Sequence, residues 1–435
     1  MLKNNIELKT SNNKYKFGLI SFNLGIFFLP SALPISIFFL LISIYQSLNI
    51  SHKLFFKEKQ NQILFLCTGL MILSSINSAI FLKSITQQTF LDSLIGLLNW
   101  LPYFILFISS QVYLQNFNQR KTFSKFIIAS TIPVILSCFL QANLKIYGPF
   151  EIFNGLIIWF QRPVVENSGI TGLFNNQNYT GIWLSAILPF LFYEFNYTKN
   201  NFLNKVILLI IICSTIYFTL LTNSRNALIG IAIVMINLLR KKYFLIFPFV
   251  FSFYFAVENF TNINLPDYLN LFNRFNPTNF FSKIIVLENG ALKSTRLDIY
   301  SSTIEFIKES PILGWGPSSF AKVYQSKTEW LALFQHSHNM ILEIAYNFGI
   351  PFAIIMVYFI TKLIKDSAFK IFKDLPKDKS YFINKFWLLS VIVIVTSHLF
   401  DITYYDGKIA ILIWVLLAGL KCIIDEKKAE DFYSS

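Results

Sequence analysis

Long apolar runs alternate with short polar, mostly basic segments along the chain. The apolar segments fall near 17–29, 32–48, 62–82, 93–113, 123–145, 179–196, 203–221, 225–239, 243–258, 337–361, 386–403 and 408–424. Most approach the roughly 20 residues that a helix needs to cross a bilayer core. Pro30 and Pro34 interrupt the first run, so it divides into two short helices. The pattern predicts an all-α integral membrane protein with about twelve transmembrane helices. Two connections are long, 146–178 and 259–336, and the second, between helices 9 and 10, is nearly a small domain. It contains a helix signal at 295–309. Thr295-Arg296-Leu297-Asp298 has the capping-box form, and Leu297, Tyr300, Ile304 and Ile307 recur at helical spacing. Pro311 and the turn Gly314-Trp315-Gly316-Pro317 end it.

Composition narrows the class. Of 435 residues, 54% are hydrophobic and 14% charged, against about 25% charged in a soluble domain. Soluble enzymes, disordered chains and coiled coils do not fit. The net charge is +14, which in a soluble protein would direct attention to nucleic acid. Here its distribution argues for a membrane instead. With the N-terminus inside, the inner segments hold 25 basic residues and the outer ones 12, seven of them in the long loop. That asymmetry predicts cytoplasmic N- and C-termini. Residues 1–16 are polar and basic with no small-residue cleavage site after them, so the first apolar segment is expected to remain as a membrane helix. Cys67, Cys138, Cys213 and Cys422 are scattered and form no CxxC, which argues against a zinc site or a disulfide framework.

Candidate chemistry gathers at the outer ends of the expected helices. Arg225 opens the short segment 225–239, and its bland reading is snorkelling to headgroups. Arg296 lies in the first turn of the loop helix, where a solvated surface arginine is the ordinary case. His338 begins segment 337–361, with Asn339 beside it and His336 two residues earlier. In combination they read differently. Three helix N-termini on one face, two of them carrying an arginine, suit a multiply charged anion such as a pyrophosphate. The same positive field favours a neutral imidazole, the form a general base requires. On a helix, His336 and His338 would face away from each other, so at most one is expected in a given site. Asn339 and Glu343 would share a face, and Glu343 is expected to line a polar cavity. His398 and Asp401 read as cavity-lining or structural, with the structural reading favoured. Trp159, Trp315, Tyr324 and Trp330 suit sugar stacking as well as an interfacial belt.

The run His338-Asn339, followed nine residues later by Gly349-Ile350-Pro351, resembles the signature of the O-antigen ligase and O-antigen polymerase superfamily. Thr222-Asn223-Ser224-Arg225 resembles its Ser-Arg helix opening. Gly172-Leu173-Phe174-Asn175-Asn176-Gln177-Asn178 resembles its Gly-x-Phe-x-Asn-Pro-Asn segment, with Gln177 where proline is usual. Ser294-Thr295-Arg296 and Pro311-Ile312-Leu313-Gly314-Trp315-Gly316 resemble its loop segment. Phe352 stands where the ligase pattern usually has Gly, Thr or Tyr.

The resemblance implies a GT-C-like fold and a division into three parts. These are 1–178 (five helices and the first periplasmic loop), 179–361 (the ligase-like catalytic region with loop 259–336), and 362–435 (a cytoplasmic loop, the last two helices and a short tail). It implies a multi-pass protein of the bacterial inner membrane that moves a glycan from undecaprenyl diphosphate to an acceptor hydroxyl on the periplasmic face. No cofactor, metal or nucleotide sugar is implied, and no nucleic-acid partner. His338 is the implied base and Arg225 and Arg296 the implied diphosphate ligands, with Asn339, Glu343 and His336 as further binding candidates. The acceptor is a lipid A-core, as in ligases, with another glycan (polymerase) or a protein hydroxyl as alternatives. A lipid-linked glycan transporter is the competing class, but it predicts charges spread through the bundle and internal repeats, and the sequence has neither.

Overall fold

A computed structural model describes residues 13–55, 58–80, 90–164, 168–197, 202–238, 286–288, 291–293, 295–328, 334–375 and 379–426. These residues are mostly helical. In order they form α1 (Asn13–Phe28), α2 (Leu33–Phe55), α3 (Lys59–Ile80), α4 (Phe90–Leu97), α5 (Leu101–Ser110) and α6 (Phe117–Asn143). After the hairpin β1 (Phe150–Ile152) and β2 (Ile157–Trp159) come α7 (Gln177–Tyr197), α8 (Phe202–Leu221) and α9 (Arg225–Leu238). A second hairpin, β3 (Val286–Glu288) and β4 (Ala291–Lys293), precedes α10 (Thr295–Glu309) and α11 (Phe320–Lys327). The chain closes with α12 (Met340–Phe348), α13 (Ile350–Phe369), α14 (Lys379–Ser397) and α15 (Gly407–Asp425). Both hairpins are antiparallel.

Among the described residues, seven segments are long and apolar enough to cross a membrane: Leu33–Ile50, Lys59–Ile80, Leu91–Tyr113, Phe117–Asn143, Phe202–Leu221, Lys379–Ser397 and Gly407–Asp425. An all-α membrane protein is consistent with this. The remaining expected spans among the described residues fall short for visible reasons: α1 and α9 have 16 and 14 residues, α13 carries Lys362, Lys365 and Asp366 in its last turns, and the 21-residue α7 contains Pro189 and carries Glu194 and Asn196 near its end. The expected helix 243–258 and the loop stretch 259–285 lie outside the described residues. The expected segment 93–113 is interrupted at 98–100, where Pro102 restarts the helix as α5.

α7 and α15 are the most enclosed helices. α7 is buried from Thr180 to Leu191 and packs against α8, α9 and α14. α15 is buried from Ile409 to Ile423. A helix apolar on every side belongs inside a bundle, where neighbouring helices rather than lipid contact it. Aromatic pairs fill the space between helices: Phe123 meets Trp387 with ring centroids 4.7 Å apart, and Phe104 meets Trp414 at 5.0 Å. At one end of the bundle, fully buried Arg120 on α6 donates to Asn384 Oδ1 (2.9 Å) and the Leu114 carbonyl (2.9 Å), and pairs with Glu426. The candidate residues gather at the opposite end.

The expected helix 337–361 is two helices. Gly349 (φ +88°) separates them, and Pro351 follows in the first turn of α13. The last carbonyls of α12 are therefore available to other partners. The loop segment 311–316 uses them: the Trp315 N–H donates to the Tyr346 carbonyl (2.8 Å) and the Gly316 N–H to the Asn347 carbonyl (3.0 Å). In return the Ile350 N–H donates to the Pro311 carbonyl (2.8 Å). Gly349 and Gly314 (φ +68°) are required here, because a Cβ at either would run into the opposing backbone. Their spacing explains the Pro311–Gly316 and Gly349-Ile350-Pro351 motifs: together they lock the loop helix α10 onto the bundle.

Candidate functional site

The site is built on the loop before α12. Asn339 caps that helix, its Oδ1 accepting from the N–H groups of Ile341 (2.9 Å) and Leu342 (3.1 Å). Its Nδ2 donates to the Leu399 carbonyl (3.0 Å), and the Met340 N–H donates to the His398 carbonyl (2.9 Å). These bonds seat the turn after α14 directly against His338. Asn339 is thus a cap and a strut.

His338 precedes the helix rather than beginning it. Its backbone is left-handed (φ +57°), which is uncommon for a residue with a side chain. Three contacts hold it there. Its N–H donates to His336 Nδ1 (3.3 Å), its carbonyl accepts from the Tyr300 hydroxyl (3.4 Å), and the Asn339 cap follows. The helical spacing that would send His336 and His338 apart does not apply to this loop. Their rings lie edge to face with centroids 4.4 Å apart, so both imidazoles occupy one site.

The side-chain partner of His338 is Asp401, with Nδ1 and Oδ1 3.0 Å apart. Asp401 Oδ1 also accepts from the Ile402 N–H (3.0 Å), and Oδ2 accepts from Asn178 Nδ2 (2.7 Å). Burial pushes the Asp401 carboxyl up, but the His338 hydrogen bond and the charges of His338, His336 and Arg296 outweigh it and hold the acid below its ordinary value. Asp401 is therefore ionised at neutral pH and can only accept. It follows that Nδ1 of a neutral His338 carries the proton, leaving the Nε2 lone pair free. Burial and the charges of His338 and Arg296 lower the His336 value in spite of Glu343 and Asp401, which favours a neutral His336.

Asn178 reaches Asp401 through the Gly172–Asn178 segment. Gln141 Oε1 accepts from the N–H groups of Thr171 (3.0 Å) and Gly172 (2.9 Å), and Asn176 Oδ1 accepts from the Asn178 N–H (2.8 Å) at the start of α7. Lys408 Nζ donates to the Leu173 carbonyl (2.7 Å) and lies 4.5 Å from the Phe174 ring centroid. That segment is a brace for the site.

Arg296, exposed at the start of α10, donates to the Phe400 carbonyl (3.3 Å) next to Asp401. Its charge acts on Asp401, His336 and Tyr300, and also on Arg225 at the start of α9. Arg225 is exposed too, and its turn is fixed by Asn223 (φ +56°), whose Nδ2 donates to the Ser168 carbonyl (2.8 Å). His338, Arg296 and Arg225 thus share one end of the bundle.

Glu343 does not line an open cavity. It is 2% exposed and fully engaged: Oε2 accepts from the Ser337 N–H (2.9 Å), and Oε1 from the Tyr405 hydroxyl (2.7 Å) and Asn347 Nδ2 (3.2 Å). It supports the histidine loop from beneath. His398 is buried and structural, holding α12 through its carbonyl. Trp315 and Tyr324 are buried in the core and offer no sugar platform, whereas Trp159 is half-buried, with its Nε1 donating to the Ser31 carbonyl (2.6 Å). Trp330 lies outside the described residues. Phe352 is fully buried, 4.7 Å from Phe348 and 6.1 Å from Trp100 between ring centroids, so its departure from the ligase pattern concerns packing. Asp401 and Asn178 are the principal residues that sequence reasoning left aside. Each carried a signal, an acid at the end of an apolar helix and the last residue of the Gly172–Asn178 motif.

The set of groups suits proton removal beside a cationic anion-binding surface. One donor atom from each of His336, His338 and Asp401 also lies within 4.8 Å of the other two, close enough to hold a metal ion. Residues 206–357 match the family model of O-antigen ligase, the family that the motifs resemble. The match supports a ligase- or polymerase-type role in polysaccharide assembly. No curated protein matches the chain.

Proposed function

We propose that the protein transfers a glycan from undecaprenyl diphosphate to an acceptor hydroxyl on the periplasmic face of the bacterial inner membrane. The observation that carries this reading is the His338–Asp401 pair, 3.0 Å apart, with Arg296 beside it and Arg225 within its field. His338 Nε2 takes the acceptor proton. The acceptor oxygen forms a bond to the anomeric carbon, and the bond from that carbon to the diphosphate oxygen breaks. Arg225 and Arg296 take up the charge that develops on the leaving diphosphate, an electrostatic contribution that can be large in such sites. Direct attack inverts the anomeric centre. Asp401 holds the base in its reactive tautomer and stabilises the imidazolium that forms. Neither a metal nor a nucleotide sugar takes part.

A ligase acting on a lipid A-core is the reading we adopt. The gel profile of surface glycans in a deletion strain tests it. Long chains retained on the lipid carrier, with the core left bare, identify a ligase. Single repeats that reach the core without lengthening identify a polymerase. An unchanged profile with loss of glycan from secreted proteins identifies a protein glycosyltransferase. Full rescue of the deletion by His338→Ala overturns the catalytic reading and favours a transporter.

A further inference from the structure

His336, His338 and Asp401 bring one donor atom each from two imidazoles and a carboxylate to within 4.8 Å of one another. Two donor atoms each about 2.1 Å from one ion lie about 3.0–3.4 Å apart in octahedral or tetrahedral geometry. The 3.0 Å between His338 Nδ1 and Asp401 Oδ1 falls in that range. Two imidazoles with a carboxylate form a borderline-soft set that suits a zinc-class divalent cation. The set is also braced, because Asn178 Nδ2 holds the second oxygen of Asp401. Side chains of His338 and Asp401 remain 26% and 10% exposed, so an ion has access.

We propose that His336, His338 and Asp401 form a binding site for a zinc-class divalent cation, and that occupancy switches transfer off. The second half rests on the reading of His338 as the base. An ion bound through His338 Nδ1 leaves the ring proton on Nε2, which then has no lone pair for the acceptor. An ion bound through Nε2 occupies the lone pair itself. Either way the imidazole accepts no proton. The site discriminates among ions. The nearby charge of Arg296 opposes any cation, and the set offers one carboxylate, so oxygen-seeking Mg²⁺ and Ca²⁺ are excluded while strong nitrogen binders are retained. Its role is that of an inhibitory site.

Equilibrium dialysis of the full chain in detergent against Zn²⁺ tests the binding, with Co²⁺ absorption in the visible range as a second readout. The expected result is one ion per chain, with Co²⁺ bands showing nitrogen ligation. Affinity should fall about ten-fold or more in His336→Gln and in Asp401→Asn. Both variants are checked for folding by size-exclusion chromatography, and His336→Asn is a second variant at that position. No stoichiometric ion, or an ion bound equally well by the variants, overturns the site. Zn²⁺ should suppress glycan transfer, and a chelator should restore it. Transfer unaffected by an ion that does bind overturns the switch. Loss of transfer in chelator alone would contradict the metal-free base reading itself, a failure distinct from absence of the site.

Discussion

A carboxylate held ionised can only accept hydrogen bonds, so Asp401 determines which nitrogen of His338 is free to act. Asp401→Asn replaces that obligate acceptor with a group that also donates, and the favoured tautomer is lost. Glycan transfer by the purified variant should fall by on the order of 10²-fold or more with unchanged expression, measured as product formed per mole of folded protein. Arg225→Lys keeps the charge but removes the planar fork that matches a diphosphate. Its transfer rate should drop about ten-fold or more, because charge-assisted contacts to a leaving group contribute on the scale of 1.5–3 kcal/mol each. Wild-type activity would mark Arg225 as an interfacial charge. The three principal residues were legible in the sequence as helix-terminal exceptions to an apolar pattern. The convergence of His336 with His338 was not. Periodicity reads a continuous helix through 337–361, whereas a left-handed backbone at His338, fixed by contacts from Tyr300 and His336, turns both rings inward. Asp401 lies 63 positions from His338 in sequence, and no local pattern connects them.

At the scale of elements, the break at Gly349 brings the loop to the bundle. It frees the carbonyls of Tyr346 and Asn347 for Trp315 and Gly316, which anchors α10 and the arginine at its start. Gly349→Ala places a side chain at φ +88° against the Ile312 backbone. The left-handed backbone alone costs about 1–2 kcal/mol, and the clash adds to it. A lower midpoint in thermal unfolding in detergent is expected, together with loss of transfer as α10 detaches. An unchanged midpoint would show that the loop is held elsewhere. Helix 295–309 was legible, because its periodicity and its terminating turn point the same way. Segment 337–361 was not, because a single glycine can end a helix without interrupting an apolar run. Segment 93–113 was legible as one membrane-length stretch, Leu91–Tyr113, but its interruption at 98–100, where Pro102 restarts the helix, was not.

Across the whole molecule, charge is sorted between two ends. Arg120, Asn384 and Glu426 tie α6, α14 and the end of α15 together at one. The histidines, Asp401 and the two arginines occupy the other. The basic-residue asymmetry predicts that the first end faces the cytoplasm. A cysteine at Glu305, on the exposed face of α10, should therefore react with an impermeant thiol reagent in intact spheroplasts. A cysteine at Lys373, after α13, should react only after permeabilisation. The reverse pattern would invert the orientation and move the site to the cytoplasmic face. The central claim is that His338 removes the acceptor proton. Its most direct test is release of undecaprenyl diphosphate by the purified protein, given a lipid-linked glycan and an acceptor, beside His338→Ala of matched folding. The account predicts release with the native chain and a loss of on the order of 10²- to 10⁴-fold in the variant. Equal release from both would contradict it.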